Sequence, residues 1–221
     1  MKDKKKLILI VLIVLLVLTG VYFLLTRTGI LENLQGNVKD ADGNVYETVQ
    51  IGDQVWLAEN LKVKTVSEGE TWCYENTEEN CNEYGRLYNL EAAKVACPKG
   101  WVLPTDSDWQ DLEKFVDDSD LMAAKLKNKG GWDLEQERDT EISDKEKLQP
   151  LDEYSFSALP GGHYFDKYFY DLNIGGYWWS STTEDHGAGW SRVMHYDSNE
   201  FFRQTFGPEH GFSVRCIKEV N

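Results

Sequence analysis

The stretch from residue 97 to residue 115 constrains the fold more than any other part of the chain. It holds a cysteine, a Pro/Gly turn, a short apolar strand and the start of an amphipathic helix. Thr105 is a good N-cap, and Asp108 three residues later completes a capping box. The apolar residues between Trp109 and Val116 recur at helical spacing. The stretch therefore predicts a strand followed directly by a helix that packs one face against a core.

The N-terminal part of the chain has a different character. Residues 7–25 carry no charge and are mostly Leu, Ile and Val, a length that spans ~30 Å of hydrocarbon as a helix. Lysines precede the segment and only Arg27 follows closely, so the N-terminus is expected in the cytoplasm. A cleaved signal peptide is the alternative, although no small-residue cleavage pattern follows. The predicted parts are a cytoplasmic tail (1–6), a transmembrane anchor in the lipid bilayer (7–25), a linker (26–35) and an extracytoplasmic domain (36–221).

The charge of the chain excludes one class of partner. The formal net charge is −15, and it becomes −18 when the four lysines and one aspartate of residues 1–6 are left out. So acidic a domain is repelled by nucleic acid and by anionic lipid headgroups. We therefore predict no nucleic-acid partner.

Four cysteines follow the apolar segment, and an even number outside the cytoplasm favours disulfides. Three pairings are possible. We favour Cys73–Cys81, which closes a small loop, and Cys97–Cys216, which ties the central stretch to the final strand. The spacing fits neither a C-x-x-C redox pair nor a paired zinc knuckle.

Motifs of enzyme chemistry are missing from the sequence. It has no G-x-S-x-G elbow, no Walker loop and no H-x-H or H-E-x-x-H spacing. We therefore predict no catalytic residues, no resident cofactor and a function other than catalysis.

The aromatic residues between 164 and 179 are the main candidates for ligand binding. They are too many for one strand face to bury, and exposed rings stack on sugars or anchor protein partners. The alternative is that most of them fill the core of a small twisted sheet. Because side chains alternate along a strand, two adjacent tryptophans face opposite ways, so we expect one of them to be exposed. The candidate residues are Tyr164, Tyr168, Tyr170, Tyr177, Trp178 and Trp179.

Acidic residues offer two weaker candidates for calcium. Hard cations prefer clustered oxygen ligands, and Glu75, Glu78, Glu79 and Asp185 form one possible set. A solvated acidic face is the alternative. Residues 40–44 resemble the start of a calcium loop, but the glycine is misplaced and the closing glutamate is missing, which favours a plain turn.

Several short motifs occur together and in order along the chain. They are Asp42-Gly43-Asn44-Val45-Tyr46, Ile51-Gly52-Asp53-Gln54-Val55-Trp56, Glu59-Asn60-Leu61, Gly85-Arg86-Leu87-Tyr88-Asn89, Cys97-Pro98-Lys99-Gly100-Trp101, Phe156 to Gly162, Trp179-Ser180-Ser181 and Gly211 to Cys216. From about residue 36 to residue 218 the sequence thereby resembles the Fibrobacter succinogenes major paralogous domain, a bacterial extracytoplasmic module.

The resemblance implies a fold and a location. The implied fold is α+β and C-type lectin-like, with two helices and twisted antiparallel strands, and formylglycine-generating enzymes are similar to it. It implies no activity, and a formylglycine-type oxidase would need two reactive cysteines near the C-terminus, where only Cys216 lies. We expect a membrane-anchored adhesion module on the bacterial surface, with a polysaccharide or surface protein as ligand. The alternatives are a structural or pilin-like filament subunit and an enzyme of an unrecognised type.

Overall fold

The computed structural model describes residue 19 and residues 37–116, 120–133 and 149–219. All the elements named below belong to the compact unit Val38–Asn221. They combine helices with several largely antiparallel sheets, so the α+β class is confirmed.

The predicted anchor at residues 7–25 lies outside the described residues, apart from residue 19. Among the residues that are described, no helix has both the length and the apolar character needed to cross a membrane.

The described elements follow one another in a mixed order. They are β1 (Val38–Lys39), β2 (Val45–Tyr46), β3 (Thr48–Ile51), β4 (Gln54–Leu57), β5 (Thr71–Trp72), a 3-10 turn (Tyr74–Asn76), α1 (Glu78–Tyr84), β6 (Leu87–Tyr88), α2 (Leu90–Ala96), β7 (Trp101–Val102), α3 (Asp106–Val116), α4 (Met122–Leu126), β8 (Gly161–Phe165), β9 (Tyr168–Leu172), β10 (Gly175–Thr183), β11 (Gly189–His195), β12 (Phe202–Phe206) and β13 (Ile217–Lys218).

The largest sheet has five strands in the order β12-β11-β10-β8-β9. Only the pairing of β8 with β10 is parallel, and the other pairs are antiparallel. Strand β10 therefore lies at the centre, whereas β9 forms one edge. A four-stranded sheet in the order β3-β4-β13-β7 joins the two ends of the domain.

Two hydrophobic clusters lie on opposite sides of β10. The first contains Trp179 together with Leu90 and Ala93 of α2. The second contains Trp178 together with Trp109 of α3 and Ala123 and Leu126 of α4. Because side chains alternate along a strand, β10 supplies buried residues to both clusters and forms the centre of the domain.

The central stretch of the sequence folds largely as expected. Thr105 Oγ1 accepts a hydrogen bond from the Asp108 backbone N–H at 3.1 Å, and Asp108 Oδ2 accepts one from the Thr105 N–H at 2.8 Å. The predicted capping box is therefore confirmed. Helix α3 is also tied to the large sheet, because the buried Arg192 donates to both Asp106 and Glu113.

Both predicted disulfides, Cys73–Cys81 and Cys97–Cys216, are confirmed. The segment between Cys73 and Cys81 contains the 3-10 turn and the first residues of α1, and β5 directly precedes it. The short disulfide loop thus belongs to a folded segment.

Candidate ligand-binding face

The strands β8 and β9 form a hairpin at the edge of the five-stranded sheet. Asp166 and Lys167 form its two-residue turn, and both have positive φ, as a type I′ turn requires. Residues paired across an antiparallel ladder project on the same side. The pairs His163–Tyr170 and Phe165–Tyr168 define what we call the front face, and the pair Tyr164–Phe169 defines the back face.

Aromatic rings from the disulfide loop support the back face. Trp72 stacks on Tyr164 with ring centroids 4.1 Å apart, and Tyr74 contacts Phe169 at 5.2 Å. Cys73 lies between Trp72 and Tyr74 in the sequence and is bonded to Cys81. The Cys73–Cys81 disulfide therefore fixes the segment on which the hairpin rests.

The front face carries three exposed rings. Tyr168 is 64% exposed, Tyr170 41% and Phe165 36%. Tyr170 stacks on His163 at 5.2 Å, and Phe165 stacks on His210 at 4.1 Å. A histidine therefore covers one face of each of these two rings, and only the opposite face is open to a ligand.

Burial keeps the two histidines beneath the front face uncharged. Burial lowers the pKa of His163 to about 4, although the nearby Asp171 carboxylate acts in the opposite direction. Burial also lowers the pKa of His210. Asp171 Oδ2 accepts a hydrogen bond of 2.6 Å from the Tyr177 hydroxyl and lies 3.6 Å from His163 Nδ1. Both histidines are therefore uncharged at pH 7, and the Asp171 carboxylate holds Tyr177 in place.

The structure divides the six predicted ring residues into three groups. Tyr168 and Tyr170 lie together on the exposed front face, and Tyr164 lies half-buried on the back face. Tyr177, Trp178 and Trp179 are buried. The list of six candidates left out Phe165, although this residue belongs to the same aromatic run, and the prediction missed His163 and His210 as members of the face. His210 comes from a distant loop, so no local pattern in the sequence could have identified it.

The expectation that one of the two adjacent tryptophans is exposed is wrong. Trp178 and Trp179 do face opposite ways, but both are fully buried because hydrophobic clusters cover both faces of β10. Their indole N–H groups donate to Asn60 Oδ1 and to the Tyr88 carbonyl. Buried tryptophans with satisfied N–H groups belong to the core, so neither ring is a ligand-binding residue.

The carboxylates proposed for calcium do not come together in the part of the chain that the structure describes. The one cluster of three potential ligands there is Cys73, Glu78 and Cys81. Disulfide sulfurs are not thiolate ligands, and Glu78 pairs with Arg86 at 2.9 Å. Glu75, Glu79 and Asp185 belong to no described cluster of this kind.

The second candidate calcium loop is a plain turn, as its sequence favoured. Both carboxylate oxygens of Asp40 already accept hydrogen bonds from within the turn. The donors are the Asp42 N–H, the Asn44 N–H, the Asn44 side-chain amide and the Tyr46 hydroxyl.

A cleft of about 310 Å³ with many polar lining residues lies elsewhere on the domain. Glu47, Glu59, Glu83 and Lys62 contribute its charged lining, and Lys62 already pairs with Glu59 at 2.9 Å. The described lining contains no histidine or cysteine. Its uncharged polar lining includes Ser155, Ser157, Asn60 and Asn128.

A buried arginine organises the wall of this cleft. Arg215 is completely buried and donates to the carbonyls of Leu57, Phe156 and Ser157 and to Asn60 Oδ1. Burial lowers the pKa of Arg215 to about 9. Since Asn60 Oδ1 also accepts from Trp178, the network connects the cleft wall to the core and has a structural role.

Comparison with known protein families agrees with the resemblance seen in the sequence. The family model of the Fibrobacter succinogenes major domain matches residues 49–218. The chain therefore belongs to this family. Searches of curated proteins and of solved structures returned no match.

Proposed function

We propose that the protein is a non-catalytic binding module that holds a carbohydrate on the front face of the β8–β9 hairpin. The observation that carries this proposal is the set of three exposed rings, Phe165, Tyr168 and Tyr170, on a hairpin supported from behind. Rings held in place before binding lose little conformational entropy when a ligand stacks on them.

A sugar fits this face better than a protein partner does. A standard protein interface takes about 20–30 residues from each partner, whereas three exposed rings make a small apolar patch. Its rim is polar, because the turn residues Asp166 and Lys167 are exposed and the tyrosines carry hydroxyl groups. Aromatic faces surrounded by hydrogen-bonding groups suit ligands that present both C–H faces and hydroxyls.

We further propose that the α+β domain has the C-type lectin-like fold. Two features support this: helices α2 and α3 pack against opposite sides of the central strand β10, and Cys216 links the C-terminal segment to Cys97, just after α2. An experimental structure that superimposes on C-type lectin-like domains would support the assignment. A different strand connectivity would contradict it.

The proposed location is a bacterial membrane, with residues 7–25 as a single-pass anchor and the domain outside the cytoplasm. The support is the length and apolar character of this segment and the lysines before it. We expect the full-length chain to remain in the membrane fraction after alkaline carbonate extraction and to be digested by protease added from outside. Release by carbonate would contradict the anchor.

Binding of the full-length chain in detergent to a polysaccharide array tests the proposed function. We expect Tyr168→Ala and Tyr170→Ala each to weaken binding about tenfold, which corresponds to ~1.4 kcal/mol. Phe115→Ala is the matched control, because this ring is 51% exposed but lies on α3, outside the front face. Its affinity should equal that of the wild type.

The rival functions give different results. Unchanged binding in both tyrosine variants would show that the front face is not the binding site. Failure to bind any polysaccharide, together with concentration-dependent filaments, would favour a structural subunit.

A further inference from the structure

The front face also restricts the physical form of the ligand, an inference that rests on the proposed function. Tyr168 and Tyr170, its two most exposed rings, have centroids 6.5 Å apart but ring planes tilted by 59°. A sugar stacks on an aromatic ring when its own face lies parallel to the ring plane. Two rings tilted this far cannot both lie parallel to one flat surface.

The tilt is supported by the surroundings of Tyr170. This ring lies on His163, with planes only 22° apart, and His163 in turn contacts Tyr177 at 4.6 Å. The Tyr177 hydroxyl is held by Asp171. Rotating Tyr170 into the plane of Tyr168 would separate it from His163 and expose more of that partly buried ring. The orientation of Tyr170 is therefore set by the layer beneath the face.

We infer that the ligand is an isolated chain of a neutral glycan, and that the module does not recognise the flat surface of a crystalline polysaccharide. A free chain can twist so that adjacent sugar units meet rings of different orientation. A crystalline surface is planar and reaches only one of the two tyrosines. The chain is expected to be neutral because the protein carries −18 outside residues 1–6, which repels acidic polymers.

The test compares the two physical forms of the same polymers. The probes are cellulose and chitin, each as crystalline particles and as swollen amorphous particles, with soluble oligosaccharides of both and of xylan and mannan. Full-length protein in detergent should bind an amorphous or soluble probe at least tenfold more tightly than the crystalline form. Alginate, an acidic polymer, should not bind.

Single variants add a second readout that a stability effect would not reproduce. Because one chain contacts both rings, Tyr168→Ala and Tyr170→Ala should each raise the Kd for the soluble oligosaccharide about tenfold. Tyr168→Phe, which keeps the ring, should stay within about threefold, as should Phe115→Ala.

The outcomes separate the two proposals. Equal or tighter binding to crystalline particles, or an effect of only one of the two tyrosine variants, would overturn the inference and leave the proposed function standing. Binding to none of the glycans in either form would overturn the proposed function and the inference with it.

Discussion

The β8–β9 hairpin and strand β10 are both rich in aromatic residues but use them in opposite ways. In the hairpin, Tyr168 and Tyr170 are exposed, whereas in β10 Trp178 and Trp179 are completely buried. The alternation of side chains is the same in both. The difference lies in their places in the sheet, since β9 is an edge strand and β10 is central.

Whether an aromatic side chain is buried or exposed depends on what covers the face of its strand. Both faces of β10 meet hydrophobic clusters, and each indole N–H has an acceptor. The hairpin is covered on its back by Trp72 and Tyr74 but leaves most of its front open. Buried aromatic residues of the core and exposed aromatic residues can therefore lie in the same sheet, with only strand β8 between them.

The largest expected difference in stability comes from removing the disulfides, of which each region has one. Cys97–Cys216 closes a separation of 119 residues beside the core around β10, whereas Cys73–Cys81 closes 8 residues behind the hairpin. In the chain-entropy model, replacing both cysteines of a pair by alanine costs about 5 kcal/mol for the first and about 2.5 kcal/mol for the second. Urea unfolding of the two double variants measures both values.

The two disulfides should also differ in their effect on binding. The Cys73→Ala/Cys81→Ala variant should fold yet bind glycan less tightly, because the rings behind the hairpin lose their constraint. Unchanged affinity in that variant would contradict the supporting role of the disulfide loop.

Substitutions of the tryptophans test the core directly. Trp178→Ala and Trp179→Ala should each lower the free energy of unfolding by about 3–5 kcal/mol, because each removes a large buried ring. Tyr168→Ala, at an exposed position, should change it by less than about 0.5 kcal/mol. Thermal unfolding of the three variants gives the comparison. A loss below about 1 kcal/mol for either tryptophan would show that its ring is not in the core.

A smaller effect is expected at His163, which lies on β8 at the boundary between the two regions. It concerns how the free energy of unfolding depends on pH. His163 has its pKa lowered to about 4 by burial, with Asp171 opposing this shift and His210 and His195 adding to it. Between pH 6.5 and pH 4, His163 binds a proton more readily in the unfolded chain than in the folded protein. The free energy of unfolding therefore falls as the pH falls through this range, by at most about 3 kcal/mol.

The His163→Phe variant tests this effect, because it keeps an aromatic ring and removes the titrating group. Its stability should depend less steeply on pH between 6.5 and 4 than that of the wild type. Identical slopes for the two proteins would contradict the buried, neutral state of His163.

Local signals in the sequence predicted the local structure well. The capping box at Thr105 and Asp108 and the turn at Asp40 follow from short-range chemistry. The even number of cysteines predicted two disulfides, and the favoured choice among the three possible pairings is the one observed. The burial of Trp178 and Trp179 could not be predicted in the same way, because it depends on α2 and α3 covering both faces of β10. The stacking of Phe165 on His210 likewise depends on a loop far away in the sequence.

Hydroxyl-radical footprinting of the full-length protein, with and without a bound oligosaccharide, tests the contrast between the two regions most directly. We expect rapid oxidation of Tyr168 and Tyr170, protection of both by the oligosaccharide, and almost no oxidation of Trp178 and Trp179 in either state. Oxidation of a β10 tryptophan at a rate comparable to that of Tyr168, or no protection of the tyrosines at saturating ligand, would contradict the assignment of core and binding face.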